Sequence, residues 1–320
     1  DLGAQIQGDI TVVSDTGATV ILADGFTYIG VGNITSVTPS VGQGTTTVTI
    51  EGDSLFGGGE SATSVTLAGV TAQIIGDSNS SYIVVRANRG PLTTDATTGD
   101  VVITGNTGVP ITALGGFTYS LVTGVSPTSG QGGTRVTIAG VALDGDGTSV
   151  ASATLDGIAA VSIVSQSATQ VVVVADDRNN GDTQTGTITL NLADGSSIVS
   201  VGLSDGSEVH QFTYEVAGAI TEVIPSQGQA DTVVTITGTE LFGYGDSLAS
   251  VTLAGVEVGS IVSSNSTYVV VEAGESNATS AGAVTLVSNT GSTVTVATSF
   301  TYVGVGVIAG LSPSSGQQNT

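Results

Sequence analysis

One short pattern recurs four times and governs what this chain can fold into. Pro-x-x-Gly-Gln stands at Pro39–Gln43, Pro127–Gln131, Pro225–Gln229 and Pro313–Gln317. Phe-Thr-Tyr stands at Phe26, Phe117, Phe212 and Phe300 and closes each block. A period of this length marks an array of similar units. At about 90 residues, each unit is large enough for one two-layer core.

The blocks have a rigid front and a variable back. Pro39 to Ala87, Pro127 to Ala175 and Pro225 to Ala273 each span 48 residues. Fixed spacing implies fixed strand pairing. Thr47-Val48-Thr49-Ile50, Arg135-Val136-Thr137-Ile138 and Val234-Thr235-Ile236 alternate apolar and polar residues, as half-buried strands do. Ser64–Val70 returns as Ser250–Val256 and Ser152–Ile158, followed by Tyr82–Val85, Gln170–Val174 and Tyr268–Val271. From the alanine to the closing phenylalanine the spacing is 30, 37 and 27 residues. Variation of that kind belongs to surface loops, with the largest insertions expected around 177–182 and 203–209.

No amphipathic helical stretch of useful length is present, and seven or so short strands per block predict an antiparallel sandwich. The pattern resembles the IPT/TIG family of immunoglobulin-like domains. The likeness rests on Ile34–Gly52, on the following Leu55-Phe56 and Leu241-Phe242, and on the closing Phe-Thr-Tyr. It implies an all-β chain of tandem immunoglobulin-like β-sandwiches arranged as a rod. Residues 1–30 form a partial domain with the C-terminal strands. Complete domains follow at 31–120, at 121–215 (with longer loops) and at 216–303, and 304–320 supply the first strand of another. From each closing tyrosine to the next proline is 8 or 11 residues, too few for a flexible tether. Residues 28–32 match 302–306, so the two end pieces belong to partial domains that need partners, because a lone hairpin is not stable in water. Two readings stay open: a window of a longer chain, or strand complementation between subunits. The end pieces together still lack the strands of the Thr47–Val85 type.

Charge narrows the function classes. The chain carries −23 at neutral pH, has no lysine, and owes its fixed cations to Arg86, Arg89, Arg135 and Arg178. Nucleic acid would be repelled, as would an anionic membrane surface. No apolar run approaches a membrane span. There is no cysteine, which excludes disulfides and thiolate metal sites.

Four N-glycosylation sequons begin at Asn33, Asn79, Asn265 and Asn277. Asn79 and Asn265 share one repeat position, where the middle block has Ser167. A glycan there would shield the Tyr-Ile-Val-Val strand, read as edge-like; the plainer reading is turn chemistry. Asp144 and Asp146 on a Gly-rich turn are weak Ca2+ candidates, without a full calcium loop. Gly52-Asp53-Ser54-Leu55 and Gly245-Asp246-Ser247-Leu248 spell an esterase-like tetrapeptide, but at non-equivalent repeat positions and with no base at hand. His210, the single histidine, reads as structural or exposed. Phe56, Phe242, Tyr82, Tyr268 and the Phe-Thr-Tyr set read as core, and Tyr244 as exposed.

The expectation is a non-enzymatic, extracellular repeat segment of a glycosylated filament or surface appendage. It needs no cofactor and self-associates head to tail. Its key residues are the joints 30–39, 120–127 and 215–225. The alternatives are an adhesin or receptor ectodomain gripping a ligand through loops within 176–210, and non-catalytic modules of a secreted carbohydrate-active enzyme.

Overall fold

The computed structural model describes residues 6–90, 97–145, 147–178, 181–200, 210–276 and 278–317. Every regular element among them is a strand. Valine and threonine, which fit a pleated half-buried surface, fill these strands.

The first two strands, β1 (Ile6–Val13) and β2 (Thr19–Tyr28), form an antiparallel hairpin that pairs with nothing else among the described residues. Three sandwiches follow. The first contains β3 (Asn33–Thr38), β4 (Val41–Gly42), β5 (Thr47–Asp53), β6 (Ala62–Leu67), β7 (Val70–Ile74), β8 (Tyr82–Arg86), β9 (Thr97–Gly105) and β10 (Pro110–Tyr119). The second contains β11 (Leu121–Ser126), β12 (Ser129–Gly130), β13 (Arg135–Val141), β14 (Val150–Leu155), β15 (Ile158–Ala159), β16 (Ser162–Gln166), β17 (Gln170–Val174), β18 (Gln184–Leu192), β19 (Ser197–Val199) and β20 (Gln211–Tyr214). The third contains β21 (Ala219–Ile224), β22 (Gln227–Gly228), β23 (Val233–Thr239), β24 (Leu248–Leu253), β25 (Val256–Glu257), β26 (Ser260–Ser264), β27 (Tyr268–Glu272), β28 (Ser280–Ser288) and β29 (Thr293–Tyr302).

In the second sandwich one sheet runs β11-β13-β17-β16 and the other β12-β20-β18-β14-β15, with β19 on β18. The third repeats this as β21-β23-β27-β26 and β22-β29-β28-β24-β25. The first joins its two sheets through β7, which pairs with both β6 and β8. At that place the later domains break the strand in two, as β15/β16 and β25/β26, and β16 and β26 become sheet edges. The strand after each sequon turn is therefore interior: β8 lies between β5 and β7, and β27 between β23 and β26. This corrects the edge-like reading of Tyr82–Val85: β8 has a partner strand on each side, and only in the second and third domains is the strand before the turn an edge.

Alternation places one side chain in two inside. Val48, Ile50, Val65, Leu67, Ile83, Val85, Val101 and Ile103 build the first core, and their counterparts build the other two. Phe117/Tyr119, Phe212/Tyr214 and Phe300/Tyr302 are buried edge-to-face pairs with centroids 5.1 Å apart. Tyr82 and Tyr268, by contrast, are 36 % and 40 % exposed rather than core. They occupy the first position of a strand whose next residue points inward. Tyr244 is half-buried, which pushes its phenol above the usual range. Residues 303–317 contain no strand, although the first strand of a further domain was expected there.

Candidate functional site: the interdomain clamps

The recurring glutamine has a structural role that the sequence reading did not assign. In each sandwich it opens a tight turn. Thr46, Thr134 and Thr232 donate their N–H to the carbonyls of Gln43, Gln131 and Gln229 at 3.1–3.2 Å. The turn is bolted to its own domain from the other side. Thr45 N–H donates to Ala87 O, and Ala87 N–H returns to Thr46 O, at 2.7 and 2.8 Å. Gly133/Thr134 with Ala175, and Asp231/Thr232 with Ala273, repeat the arrangement. This explains the invariant 48-residue spacing, since the motif and the alanine are hydrogen-bonded partners.

The glycine before the glutamine is equally constrained. A Cβ on Gly42, Gly130 or Gly228 would lie 2.5–2.6 Å from the hydroxyl of Thr46, Thr134 or Thr232. The motif is thus Pro-x-x-Gly-Gln-x-x-Thr, with Gly and Thr sharing one space. The peptide bond before each motif proline is cis in all four copies.

With its backbone fixed, the glutamine side chain crosses into the next domain. Gln43 Nε2 donates to Ser120 O at 3.3 Å and to Val199 O at 3.1 Å, and its Oε1 accepts from Val199 N–H at 2.9 Å. Gln131 Nε2 donates to Thr293 O at 2.9 Å, and its Oε1 accepts from Gly218 N–H at 2.7 Å. Gln229 Oε1 accepts from Gly306 N–H at 3.4 Å. Ser120, Gly218 and Gly306 each stand seven residues before the next motif proline. The clamp therefore ties the same two places at successive joints. A primary amide suits the job because it donates and accepts at once, as a strand's backbone does. The second joint has a further bond, from Arg135 N–H to Thr290 O at 2.8 Å, and Gln131 there is only 4 % exposed. Ser120 and Gly218 fall within the linkers 120–127 and 215–225, whereas Gln43 and Gln131 lie just past a motif proline and outside the expected joints. The available signal was a polar residue repeated at a position where no strand needs it.

The other candidates are placed as follows. Asn33 is exposed at the start of β3. Asn79 Oδ1 accepts from the N–H groups of Ser81 and Tyr82, at 2.8 and 3.0 Å. Asn265 Oδ1 accepts from Thr267 N–H, Thr267 Oγ1 and Tyr268 N–H at 2.8–2.9 Å. Ser167 Oγ does the same work in the middle domain, accepting from Gln170 N–H at 3.1 Å. The shared position is a side-chain-capped turn. Asn277 lies outside the described residues, as does Asp146. Asp144 carries a local turn, its carbonyl accepting from Thr148 Oγ1 at 3.0 Å. Among the described residues no group of three metal-ligating side chains is assembled. His210 immediately precedes β20, half-buried. The 203–209 insertion lies outside the described residues, and at the 177–182 insertion Arg178 is ion-paired with Asp156.

Burial raises the phenols of Tyr119 and Tyr214 to about 12 and pushes Tyr302 in the same direction. At Tyr214 the carboxylates of Asp176 and Asp156 add to burial, against the Asp176 backbone and Arg178. No helix is long and apolar enough to cross a membrane.

Fold and joints together define a protein of tandem immunoglobulin-like β-sandwiches. The sequence model of the IPT/TIG domain matches residues 33–119, 120–212 and 219–302, and the chain belongs to that family. No curated protein matches it. Among solved structures it is similar to the plexin A4 extracellular region, at 20 % identity over 76 % of this chain and 21 % of that one, with a TM-score of 0.37. It is also similar to the Bacteroides ovatus mixed-linkage glucan utilization locus protein SGBP-B in complex with a heptasaccharide (14 % identity, 83 % and 65 % covered, TM-score 0.25). A third is the surface glycan-binding protein from Prevotella bryantii, at 17 % identity with 57 % and 41 % covered and a TM-score of 0.22. The chain spans about a fifth of the plexin chain.

Proposed function

We propose that this chain is a structural spacer: an extracellular, non-catalytic segment of a filament or surface appendage whose domains are held at fixed angles as a stiff rod. The observation that carries this reading is the glutamine clamp, repeated on equivalent backbone positions at consecutive joints. A binding module needs loops on a scaffold; a spacer needs defined joints, and here a polar side chain repeated in every block is spent on them. The high negative charge opposes side-by-side collapse of such rods.

Glycans fit this picture at Asn33, Asn79 and Asn265. At the two turn positions the hydrogen bonds run through Oδ1, so the turn does not consume the side-chain nitrogen that an N-glycan takes. Asn265 also adjoins β26, an edge strand with exposed Ile261 and Val262. A sugar there would discourage strand pairing between molecules. Calcium has weaker support, resting on Asp144 alone among the described residues.

Small-angle X-ray scattering of the chain and of a Gln43→Leu/Gln131→Leu variant tests the spacer. The parent should scatter as one elongated shape, and the variant as a broader, on average shorter ensemble with each domain still folded. Identical curves for the two would refute the clamp as the source of stiffness. Intact mass of native material before and after enzymatic deglycosylation tests the sugars, with mass lost at Asn79 and Asn265 expected.

A further inference from the structure

The two joints between complete domains use the same motif but are not equally tight. At the second, the turn that follows Gln131 is seated against the β28–β29 turn of the third domain. Arg135 N–H donates to Thr290 O at 2.8 Å. A Cβ on Gly133 would lie 3.4 Å from Ser292 Cα, and one on Gly291 would lie 3.2 Å from Arg135 Cγ. The receiving turn is itself braced: Ser292 is 1 % exposed, and its hydroxyl donates to Gly243 O at 2.8 Å.

At the first joint the same places are open. Gly195 in the β18–β19 turn is the counterpart of Gly291, and a Cβ on it would meet nothing within 4 Å. Ala193, Asp194 and Gly195 are all exposed. Among the described residues, no backbone hydrogen bond runs from the motif turn of the first domain to a residue beyond Ser120. What reaches into the second domain is the side chain of Gln43, on Val199. The sequence difference sits in the turn itself. Six residues after the motif proline stands Thr45 in the first domain and Gly133 in the second. Their φ values are 80° and 84°, so the turn is the same and only the side chain differs. Gly133 leaves the space that Ser292 approaches, whereas Thr45 fills it with a solvent-facing side chain.

We propose that the segment bends at its first joint, between the first and second domains, and that the second and third domains move as one body. Neighbouring domains of one chain move against each other unless their interface holds them. A single glutamine side chain, with its rotatable bonds, limits how far two domains separate and lets the angle between them turn. A backbone hydrogen bond and a seated turn hold the angle as well. The spacer is then stiff over two domains and compliant at one defined place, rather than evenly springy along its length. The inference rests on the spacer reading and locates the place within it that yields.

The absence of cysteine allows spin labels to be placed at will. Thr63, Ala151 and Ala249 occupy one exposed repeat position, 24 residues after the motif proline. Double electron–electron resonance on Thr63→Cys/Ala151→Cys reports the first joint, and on Ala151→Cys/Ala249→Cys the second. The first distance distribution should be about twice as broad as the second. Gly133→Thr should broaden the second until it matches the first. Thr45 shows that this turn accepts threonine at the same φ, and an unchanged circular dichroism spectrum checks the fold. Equal widths in the parent chain, or a second distribution untouched by Gly133→Thr, would overturn the proposal. If the equal widths are both narrow, the spacer reading stands without the bending point; if both are broad, the two fall together.

Discussion

Single residues carry the two constraints that make this repeat recognisable. Gly130 has its Cβ space taken by Thr134, so Gly130→Ala should destabilise the middle domain by roughly 1–3 kcal/mol, as overpacking does, measured by urea unfolding. Tyr119, Tyr214 and Tyr302 carry the second. Their phenols are buried and neutral, with folded pKa values above the unfolded one, near 12 for the first two. The stability they contribute is full below pH 10 and disappears as the pH climbs towards 12, because the unfolded chain ionises first. Denaturation midpoints followed across pH 8 to 12 should be flat at first and then fall. A Tyr119→Phe/Tyr214→Phe/Tyr302→Phe variant should lose most of that fall.

At the scale of elements, the repeat made most of the architecture legible. Equal spacing from Pro39 to Ala87 and its counterparts implied fixed pairing, and the physical cause is a pair of backbone hydrogen bonds joining the motif turn to that alanine. Alternation in Thr47–Ile50 placed Val48 and Ile50 inside. Strand order was not legible, because alternation says which face is buried but not which neighbour lies alongside. Hence Tyr82–Val85 read as an edge and proved interior. The turn before it was open to two readings, and Ser167 shows why position alone could not separate them: a hydroxyl caps the same turn. Asn265→Ser should therefore be tolerated. Asn265→Ala, which strips the acceptor from Thr267 and Tyr268, should cost about 1–2 kcal/mol in the third domain's unfolding.

For the whole molecule, the joints decide behaviour. The sequence shows that the glutamine recurs but not what it bonds, because its partners lie across a joint and are known only once the next domain is placed. Each clamp couples neighbouring domains through a few hydrogen bonds, so domains should unfold less independently than their separate cores suggest. Gln131→Leu leaves Gly218 N–H and Thr293 O without that partner. Calorimetry should then show the second and third domains melting as more widely separated transitions, with the first unchanged.

The placement of the four arginines bears on how the chain ends its life. Arg86 lies in β8, between β5 and β7, and Arg135 lies in β13, between β11 and β17. Arg178 is held by Asp156. Arg89 is exposed in the connection that follows β8, and Arg178 lies in the one between β17 and β18. Digestive enzymes that cut after basic side chains therefore have four bonds to attack in 320 residues, two of them within strands, and amine-directed tagging finds no lysine. Brief trypsin treatment of the folded chain should cut in the connections, after Arg89 or Arg178, before it cuts after Arg86 or Arg135 in their strands. Resistance to such enzymes then depends on where the few cations sit as much as on how tightly the domains fold.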